Sequence, residues 1–470
     1  MRGLYVDGAW ADPHGGTLDV LDPTTEESIG AVALGDAGDV DRAVRAAARA
    51  FPGWSRTPER ERLGHVREIG RLIGLHLDEL TELIVADLGM PRAMARDAQV
   101  AAPAQIFTMA ADLAEGFSAP SPVPGAAADT LVVREPAGVV GAITPWNFPL
   151  QEIAAKTAPA LAVGCTVVVK PSEIVPMAAL RLAELIDAAG LPPGVFNLVP
   201  GTGPVAGAAL AAHPLVDMVS FTGSTVTGAL VAEAAGRGVK KVALEMGGKS
   251  PCVLLDDAPL ETAVPDTVMN AFFNSGQTCN ALTRLLVPRA RLPEAEKLAV
   301  AAAESNVVGD PRDAETTLGP LVSRRQLERV LGYVRRGGGR LITGDRALPE
   351  RGFFAAPAVF TEVPPDAVLA TEEIFGPVLC LQAYEGEDEA VALAGASPYG
   401  LSAAVWSADR ERASRVARRI RAGQVHINGA GFDLGAPFGG FRQSGHGREG
   451  GRYGLEEFTQ PKALLGGVVT

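Results

Sequence analysis

Apolar positions recur every three to four residues from Asp39 to Gly89, in a stretch rich in Ala, Leu and Arg, and this spacing predicts long amphipathic helices. Asp39 and Thr57 stand where N-caps belong, and Gly89 with Pro91 reads as a stop. A short apolar opening, Leu4 to Trp10, precedes them. From Val132 the rhythm changes to short apolar runs at Gly138–Ile143, Thr166–Val169, Phe196–Val199, Met218–Phe221 and Val239–Leu244. Helical patterns, Met177–Ala189 and Pro204–Ala212, lie between them. Short strands alternating with helices predict βαβ units and a parallel sheet, and uninterrupted runs such as Val167–Val169 suit strands covered on both faces.

A second set follows from Ser250 to about Ala430. Pro251–Leu255, Thr283–Val287, Val378–Tyr384, Ala403–Trp406 and Gln424–Ile427 read as strands, and Asp409–Arg421 as an amphipathic helix. Two α/β units are thus expected to meet near Glu245–Ser250. The Gly-rich stretch from Gly439 to Gly454 then gives way to Phe458–Val469, expected as an edge strand.

Composition narrows the class of protein. A chain of 470 residues is too long for one ordinary core, and at ~150 residues per domain it suggests about three units. The net charge of −13 argues against binding nucleic acid or an anionic membrane, both of which need a basic surface. The uncharged stretch from Ala188 to Ala212 is long enough to span a bilayer but is broken by five Gly and four Pro, so no membrane helix is expected. The opening MRGLYVDGAWADP lacks a basic segment followed by an apolar one, so no signal peptide is expected. Four cysteines without a CxxC pair are too sparse for a disulfide scaffold. A reducing, cytoplasmic setting is the expectation.

Several familiar motifs fail on inspection. Gly248-Lys249-Ser250 resembles the end of a phosphate loop, but its first glycine would fall at Ala243. Gly201-x-Gly203-x-x-Ala206 fits a loose dinucleotide fingerprint without the acidic residue that should follow about 20 positions on. There is no GxSxG, no HExxH and no His pair at metal-ligand spacing, so neither a nucleophile-elbow hydrolase nor a metal site is expected.

The cysteines are not alike. Cys165, Cys252 and Cys380 sit in apolar runs and read as inert core thiols. Cys279 follows Asn274-Ser275-Gly276-Gln277-Thr278, small and polar neighbours that suit a nucleophile or an ordinary loop thiol equally. Asn147, in Trp146-Asn147-Phe148-Pro149, could donate to an oxyanion or cap a turn. Glu245 ends an apolar run before Met246-Gly247-Gly248, which suits either a base of raised pKa or a solvated strand-end acid.

Taken together and in order, these blocks resemble the NAD(P)-dependent aldehyde dehydrogenase superfamily. The resemblance is carried by Pro145-Trp146-Asn147-Phe148-Pro149, Lys170-Pro171-Ser172-Glu173, Phe221-Thr222-Gly223-Ser224-Thr225 and Glu245-Met246-Gly247-Gly248-Lys249. It continues through Phe273-Asn274-Ser275-Gly276-Gln277-Thr278-Cys279, Glu373-Ile374-Phe375-Gly376-Pro377 and Pro437-Phe438-Gly439-Gly440-Phe441, so that it covers nearly the whole chain.

The resemblance implies an α/β, aldehyde-dehydrogenase-like fold with two Rossmann-type domains and a small β oligomerisation arm. The NAD-binding domain would take 1–117 and 139–245, the catalytic domain 246–445, and the arm and tail 118–138 and 446–470, giving a homodimer or homotetramer. It further implies that Cys279 is the nucleophile, that Asn147 and the Cys279 N–H form the oxyanion hole, and that Glu245 activates water. Lys156 and Glu449 fall where relatives carry a proton-relay pair. Lys170 and Glu173 would hold the adenosine ribose hydroxyls, Gly203 would lie near the adenine, Gly223 and Ser224 at the pyrophosphate, and Glu373 at the nicotinamide ribose with Phe375 beside it. Thr144, Trp146 and Ser172 would also bind the cofactor.

The implied reaction is oxidation of an aldehyde to a carboxylic acid through a thiohemiacetal and a thioester that water hydrolyses. A carboxylate at Glu173 would repel a 2′-phosphate, so NAD is expected over NADP. For the substrate tunnel the resemblance points to Glu152 and Ala155 on one side, with Thr278 and Asn280 flanking the nucleophile. Phe148, Phe273, Phe432 and Phe438 would supply aromatic walls. Relatives acting on simple aldehydes carry Trp at the Ala155 position and those acting on succinate-type semialdehydes carry Arg. Neither is present, and a mid-sized or polar aldehyde, cationic or hydroxylated to suit Glu152, is the expectation.

Overall fold

The structure, a computed structural model, describes residues 3–126 and 129–467. Ala127 and Ala128 of the expected arm, and Val468–Thr470 of the expected tail, lie outside the described residues, as do Met1 and Arg2.

The apolar runs become strands fully covered on both faces. Val139–Ile143 and Thr166–Lys170 are buried throughout, as a parallel sheet between helix layers requires. Among the described residues the first sheet runs Gly445–His446, Lys241–Met246, Met218–Gly223, Val139–Ile143, Thr166–Lys170, Phe196–Leu198, Leu4–Val6, Ala9–Ala11. Its five central strands are parallel. In chain order they lie third–second–first–fourth–fifth, so the connections reverse direction between Val139–Ile143 and Met218–Gly223. In such a sheet the crevice beyond the carboxyl ends of those two strands is where ligands bind.

Lys241–Met246 leads through Gly247–Ser250 directly into the second sheet. That sheet runs Arg340–Thr343, Ala358–Thr361, Val378–Tyr384, Arg284–Pro288, Pro251–Leu254, Ser402–Trp406, Gln424–Ile427, parallel except at the Arg340–Thr343 edge. The third sheet pairs Thr459–Leu465 antiparallel with Thr130–Pro136, which also pairs with Ser121–Pro122. The residues from Gln460 to Leu465 are exposed.

Three local expectations need correction. The first helix, Ala37–Trp54, is capped by Asp36, not Asp39. Asp36 Oδ1 accepts from the Asp39 N–H at 2.9 Å and Asp39 Oδ2 accepts from the Asp36 N–H at 3.1 Å, a reciprocal box in which Asp39 is the inner partner. Thr57 caps nothing, because its hydroxyl donates back to Gly53 O at 3.2 Å and Pro58 stands before the Glu59–Leu75 helix. The expected Asp409–Arg421 helix ends at Ala417, with Asp409 as its cap. The stop at Gly89 stands, with φ 79°.

The Gly-rich stretch folds back on the first sheet, where Gly445 pairs with Glu245. A Cβ on Gly445 would lie 1.9 Å from Leu244 O, so only glycine lets this segment close against the strand that presents Glu245.

Candidate active site

Cys279 follows a loop that the chain holds in an uncommon shape. After the Leu260–Phe272 helix, Asn274, Ser275 and Gly276 take successive left-handed conformations, φ 51°, 55° and 75°. For the two non-glycine residues that costs of order 1–3 kcal/mol each and persists only where the surroundings enforce it. They do. Ser275 Oγ donates to Gly319 O at 2.7 Å, Asn274 Nδ2 to Asn147 O at 3.1 Å, and Gln277 Nε2 to Asn274 O at 3.1 Å. The Val322 N–H donates to Gln277 Oε1 at 2.9 Å.

Gly276 packs so closely that a Cβ would lie 2.2 Å from the Gly376 carbonyl. Gly276→Ala is therefore expected to cost about 1–3 kcal/mol of stability and to lower turnover together with it. Thermal denaturation beside a steady-state assay checks this, and an unchanged midpoint would refute it.

Asn147 faces this loop. Its amide Nδ2 donates one N–H to Gln277 O at 3.0 Å, leaving the second for a bound group. Its backbone carbonyl takes a further bond from Gln99 Nε2 at 2.9 Å. Gln99 lies in the π-helical turn Ala95–Ala101 that runs into the Ala102–Ala114 helix, and sequence reading missed it. In the sequence it is only a polar residue in an Ala-rich helical stretch, and its full burial shows in the structure alone.

The acid–base groups are buried beside the thiol. Neither oxygen of Glu245 accepts a hydrogen bond from another described residue. Burial pushes its carboxyl well above the ordinary range, and the Glu449 charge adds to this while Lys156 opposes it. Lys156 Nζ donates to Glu449 Oε1 at 2.6 Å, Thr222 Oγ1 at 2.6 Å and Glu152 Oε2 at 3.2 Å. Burial pulls the Lys156 ammonium down, but Glu449 and Glu152 more than offset it, and it stays charged. Burial raises Glu449 against the pull of Lys156. The Cys279 thiol is held well above its ordinary value by burial and then by the Glu152, Glu373 and Glu245 charges.

A cavity of about 430 Å³ opens onto Cys279. All eight expected tunnel residues line it. Thr278, Asn280 and Glu152 make a polar end with Glu449, and Ala155 stands beside them. Phe148 stacks on Phe273 at 6.4 Å, and Phe432 meets Phe438 edge-on at 5.7 Å. The far wall, Ala98, Ala102, Ile106 and Met109, is apolar and was not foreseen. Among the described residues no Lys, Arg or His lines the cavity.

The expected cofactor residues gather at the carboxyl ends of the first sheet. Lys170 ends its strand, takes the Thr144 N–H on its carbonyl at 3.1 Å, and donates from Nζ to Glu173 Oε2 at 3.0 Å. The Ser172 hydroxyl accepts from the Ile174 N–H at 3.4 Å. Gly203 opens a π-helical turn, Gly203–Gly207. Gly223 ends its strand, and Ser224 caps the Thr225–Gly236 helix, whose free N–H groups suit an anion.

Glu373 accepts the Gly248 N–H at 3.2 Å, and burial pushes its carboxyl up to about 7. Phe375, at φ 65°, meets Trp146 edge-on at 5.3 Å. A buried lysine paired with a half-buried carboxylate, a capped helix start and a second half-buried carboxylate, set around the reversal of strand order, fit a dinucleotide.

The sequence profile of the aldehyde dehydrogenase family matches residues 10–464. A 3-succinoylsemialdehyde-pyridine dehydrogenase from Pseudomonas sp is 50% identical, over 99% of this chain and 98% of that one. The structure of a mutant of aldehyde dehydrogenase C from Pseudomonas syringae, complexed with NAD+ and octanal, superposes with a TM-score of 0.96 at 48% identity, covering 99% and 96% of the two chains. The NAD+ complex of an aldehyde dehydrogenase from Bacillus cereus gives 0.95 at 38% identity, covering 98% and 96%. No helix among the described residues is long and apolar enough to cross a membrane.

Proposed function

The chain belongs to the aldehyde dehydrogenase family, an aldehyde-oxidising enzyme with a nicotinamide cofactor, and from that premise we propose how its residues divide the work. Burial and the neighbouring carboxylates hold the resting Cys279 thiol protonated, so its proton must pass to solvent through the cavity before the thiolate attacks the aldehyde carbon. The free N–H of Asn147 and the Cys279 backbone N–H hold the oxyanion of the thiohemiacetal. The bound nicotinamide supplies the hydride acceptor. Glu245 then takes a proton from water, which cleaves the thioester and frees the acid, and Lys156 with Glu449 passes that proton on. The observation that carries this reading is the nearly complete burial of the Glu245 carboxyl among the charges of Glu449 and Lys156. Such a group is costly to keep, and its raised pKa suits a general base.

The cofactor is read as NAD, because Glu173 would accept ribose hydroxyls and repel a 2′-phosphate. Lys170, Ser172, Gly203, Gly223 and Ser224 would hold the adenosine half, and Thr144, Trp146, Glu373 and Phe375 the nicotinamide half. The first sheet is accordingly read as the NAD-binding domain and the second as the catalytic one. The third sheet is read as an arm that joins subunits into a dimer or tetramer, which its exposed Thr459–Leu465 strand supports. Four free cysteines support a reducing setting.

The substrate proposed is a mid-sized aldehyde without a net charge. The cavity volume suits a molecule of that size, and its far wall is apolar. No Lys, Arg or His among the described lining residues would hold an anionic group, and Glu152, held by Lys156, is left as an acceptor for a polar substrate group. The octanal in the Pseudomonas syringae complex and the pyridine named in the Pseudomonas relative support a medium apolar or aromatic tail.

NADH absorbance across alkanals of two to ten carbons, pyridyl aldehydes and carboxylate-bearing semialdehydes tests all of this at once, with NAD and NADP side by side. The expected result is a kcat/KM at least about tenfold higher for six- to eight-carbon and aromatic aldehydes than for two-carbon ones. NAD should be favoured over NADP in the same sense. Best turnover on a two-carbon or anionic aldehyde would refute the substrate reading.

A further inference from the structure

Lys156 has three N–H donors, and three different elements each offer one acceptor. Glu152 stands one turn back on the Pro149–Val163 helix, Thr222 on the Met218–Gly223 strand, and Glu449 just before the Gly451–Glu457 helix. Glu152 and Glu449 also line the cavity that holds Cys279. With Glu245, three carboxylates surround one ammonium, so full ionisation would leave a net charge of minus two in a buried space. Clusters of that kind share protons among their members and do not titrate one residue at a time.

Resting on the reading of Cys279 as the nucleophile, we propose that Glu152 is a positioning residue of this proton-handling cluster. It holds Lys156 from the cavity side and sets the charge that Cys279 and Glu245 meet. The helix makes the placement firm, because positions four apart lie on one face. Ala155 and Pro159, on the same side of that helix, leave the carboxylate in contact with the cavity. Glu152 therefore stands where the buried cluster meets the tunnel.

The groups that face it come from every neighbouring element. Lys156 is on its own helix, Glu449 across the cluster, Cys279 on the nucleophile loop and Glu245 at the strand end, with Arg448 acting on Glu245 and Glu457 on Glu449. Glu152 is the largest single charge acting on the thiol.

The test is Glu152→Gln, which keeps the shape and removes the charge. Cys279 alkylation by iodoacetamide is followed against pH without cofactor, and turnover is followed against pH at saturating aldehyde. Removing one unit charge that acts on the thiol is worth about three- to tenfold in such a site. Alkylation near neutral pH is therefore expected to rise by about that factor, with both pH profiles displaced to lower pH. Glu152→Asp, which keeps the charge, should stay near the wild-type alkylation profile. If Glu152→Gln does not fold, Glu152→Met removes the charge without leaving a polar group to satisfy.

Profiles that superimpose on wild type would overturn the proposal. So would a changed KM for aldehyde with unchanged profiles, which would make Glu152 a substrate anchor only. Alkylation needs no aldehyde, so the two readings fail separately. Wild-type enzyme that still oxidises aldehyde after Cys279 is alkylated would refute the nucleophile assignment, whatever Glu152 does.

Discussion

Cys279→Ala is expected to abolish aldehyde-dependent NADH formation, by on the order of 10⁴-fold or more, while NAD still binds. The size follows from the chemistry. Without the sulfur there is no covalent intermediate, and the hydride would have to leave a hydrated aldehyde held only by the remaining groups of the site. Binding should persist because the residues proposed to hold the adenosine half lie at the ends of the first sheet, on elements that do not include the nucleophile loop. The loop itself is held by Ser275, Asn274 and Gln277, none of which bonds to the Cys279 sulfur. Steady-state NADH absorbance and titration of NAD by fluorescence decide the matter. Turnover that survives in the variant would mean that another group is the nucleophile.

Glu245→Gln should separate the two halves of the reaction. Hydride transfer needs no base at Glu245, so one equivalent of NADH per site is expected in a rapid first phase. Steady turnover should then fall by about 10²–10⁴-fold, because the thioester has lost the group that activates water. The first phase should not slow, since removing the Glu245 charge makes the neighbouring thiol easier to ionise. Stopped-flow absorbance reads both phases.

In the wild-type enzyme the base must be ionised to act. With its pKa raised, deacylation is lost as pH falls through a range above that of an ordinary carboxylate. The Glu245 carboxyl accepts no hydrogen bond from another described residue, so the amide breaks none of these, and the variant should keep a stability close to that of wild type. Loss of the first phase, or a stable enzyme at full turnover, would each remove Glu245 from the role of base.

What could be read in the sequence was whatever is local. Runs such as Val139–Ile143 announce buried strands because every position is apolar, and the ordered motif blocks carry Cys279, Asn147 and Glu245 with them. The Thr17–Leu21 and Ser28–Ala33 hairpin went unread because the alternation of its first strand, Thr17-Leu18-Asp19-Val20, is only four residues long and most of that strand is exposed. Asp36 and Asp39 could not be ranked as caps, since each bonds the other's N–H and only the backbone tells them apart. The cluster around Lys156 was only half visible. Its partner Glu449 lies 293 positions away and came through the resemblance, while Thr222 and the engagement of Glu152 depend on how three elements pack. The far wall of the cavity had no signal, because Ala98, Ala102, Ile106 and Met109 look like any helix interior.

That far wall hangs on the π-helical turn at Ala95–Ala101, which carries one more residue per turn than the helix it feeds. Removing a residue there would turn everything on one side of the cut by about 100° relative to the other. Ala98, Ala102, Ile106 and Met109 could not all stay on the cavity, and Gln99 would lose its grip on Asn147 O. Point changes at the small wall residues, by contrast, leave the backbone phase intact. Evolution therefore has two unequal handles on this enzyme. Substitution along the wall can reshape what enters while the chemistry stands still, whereas a change of length in the turn alters wall and oxyanion donor in one step.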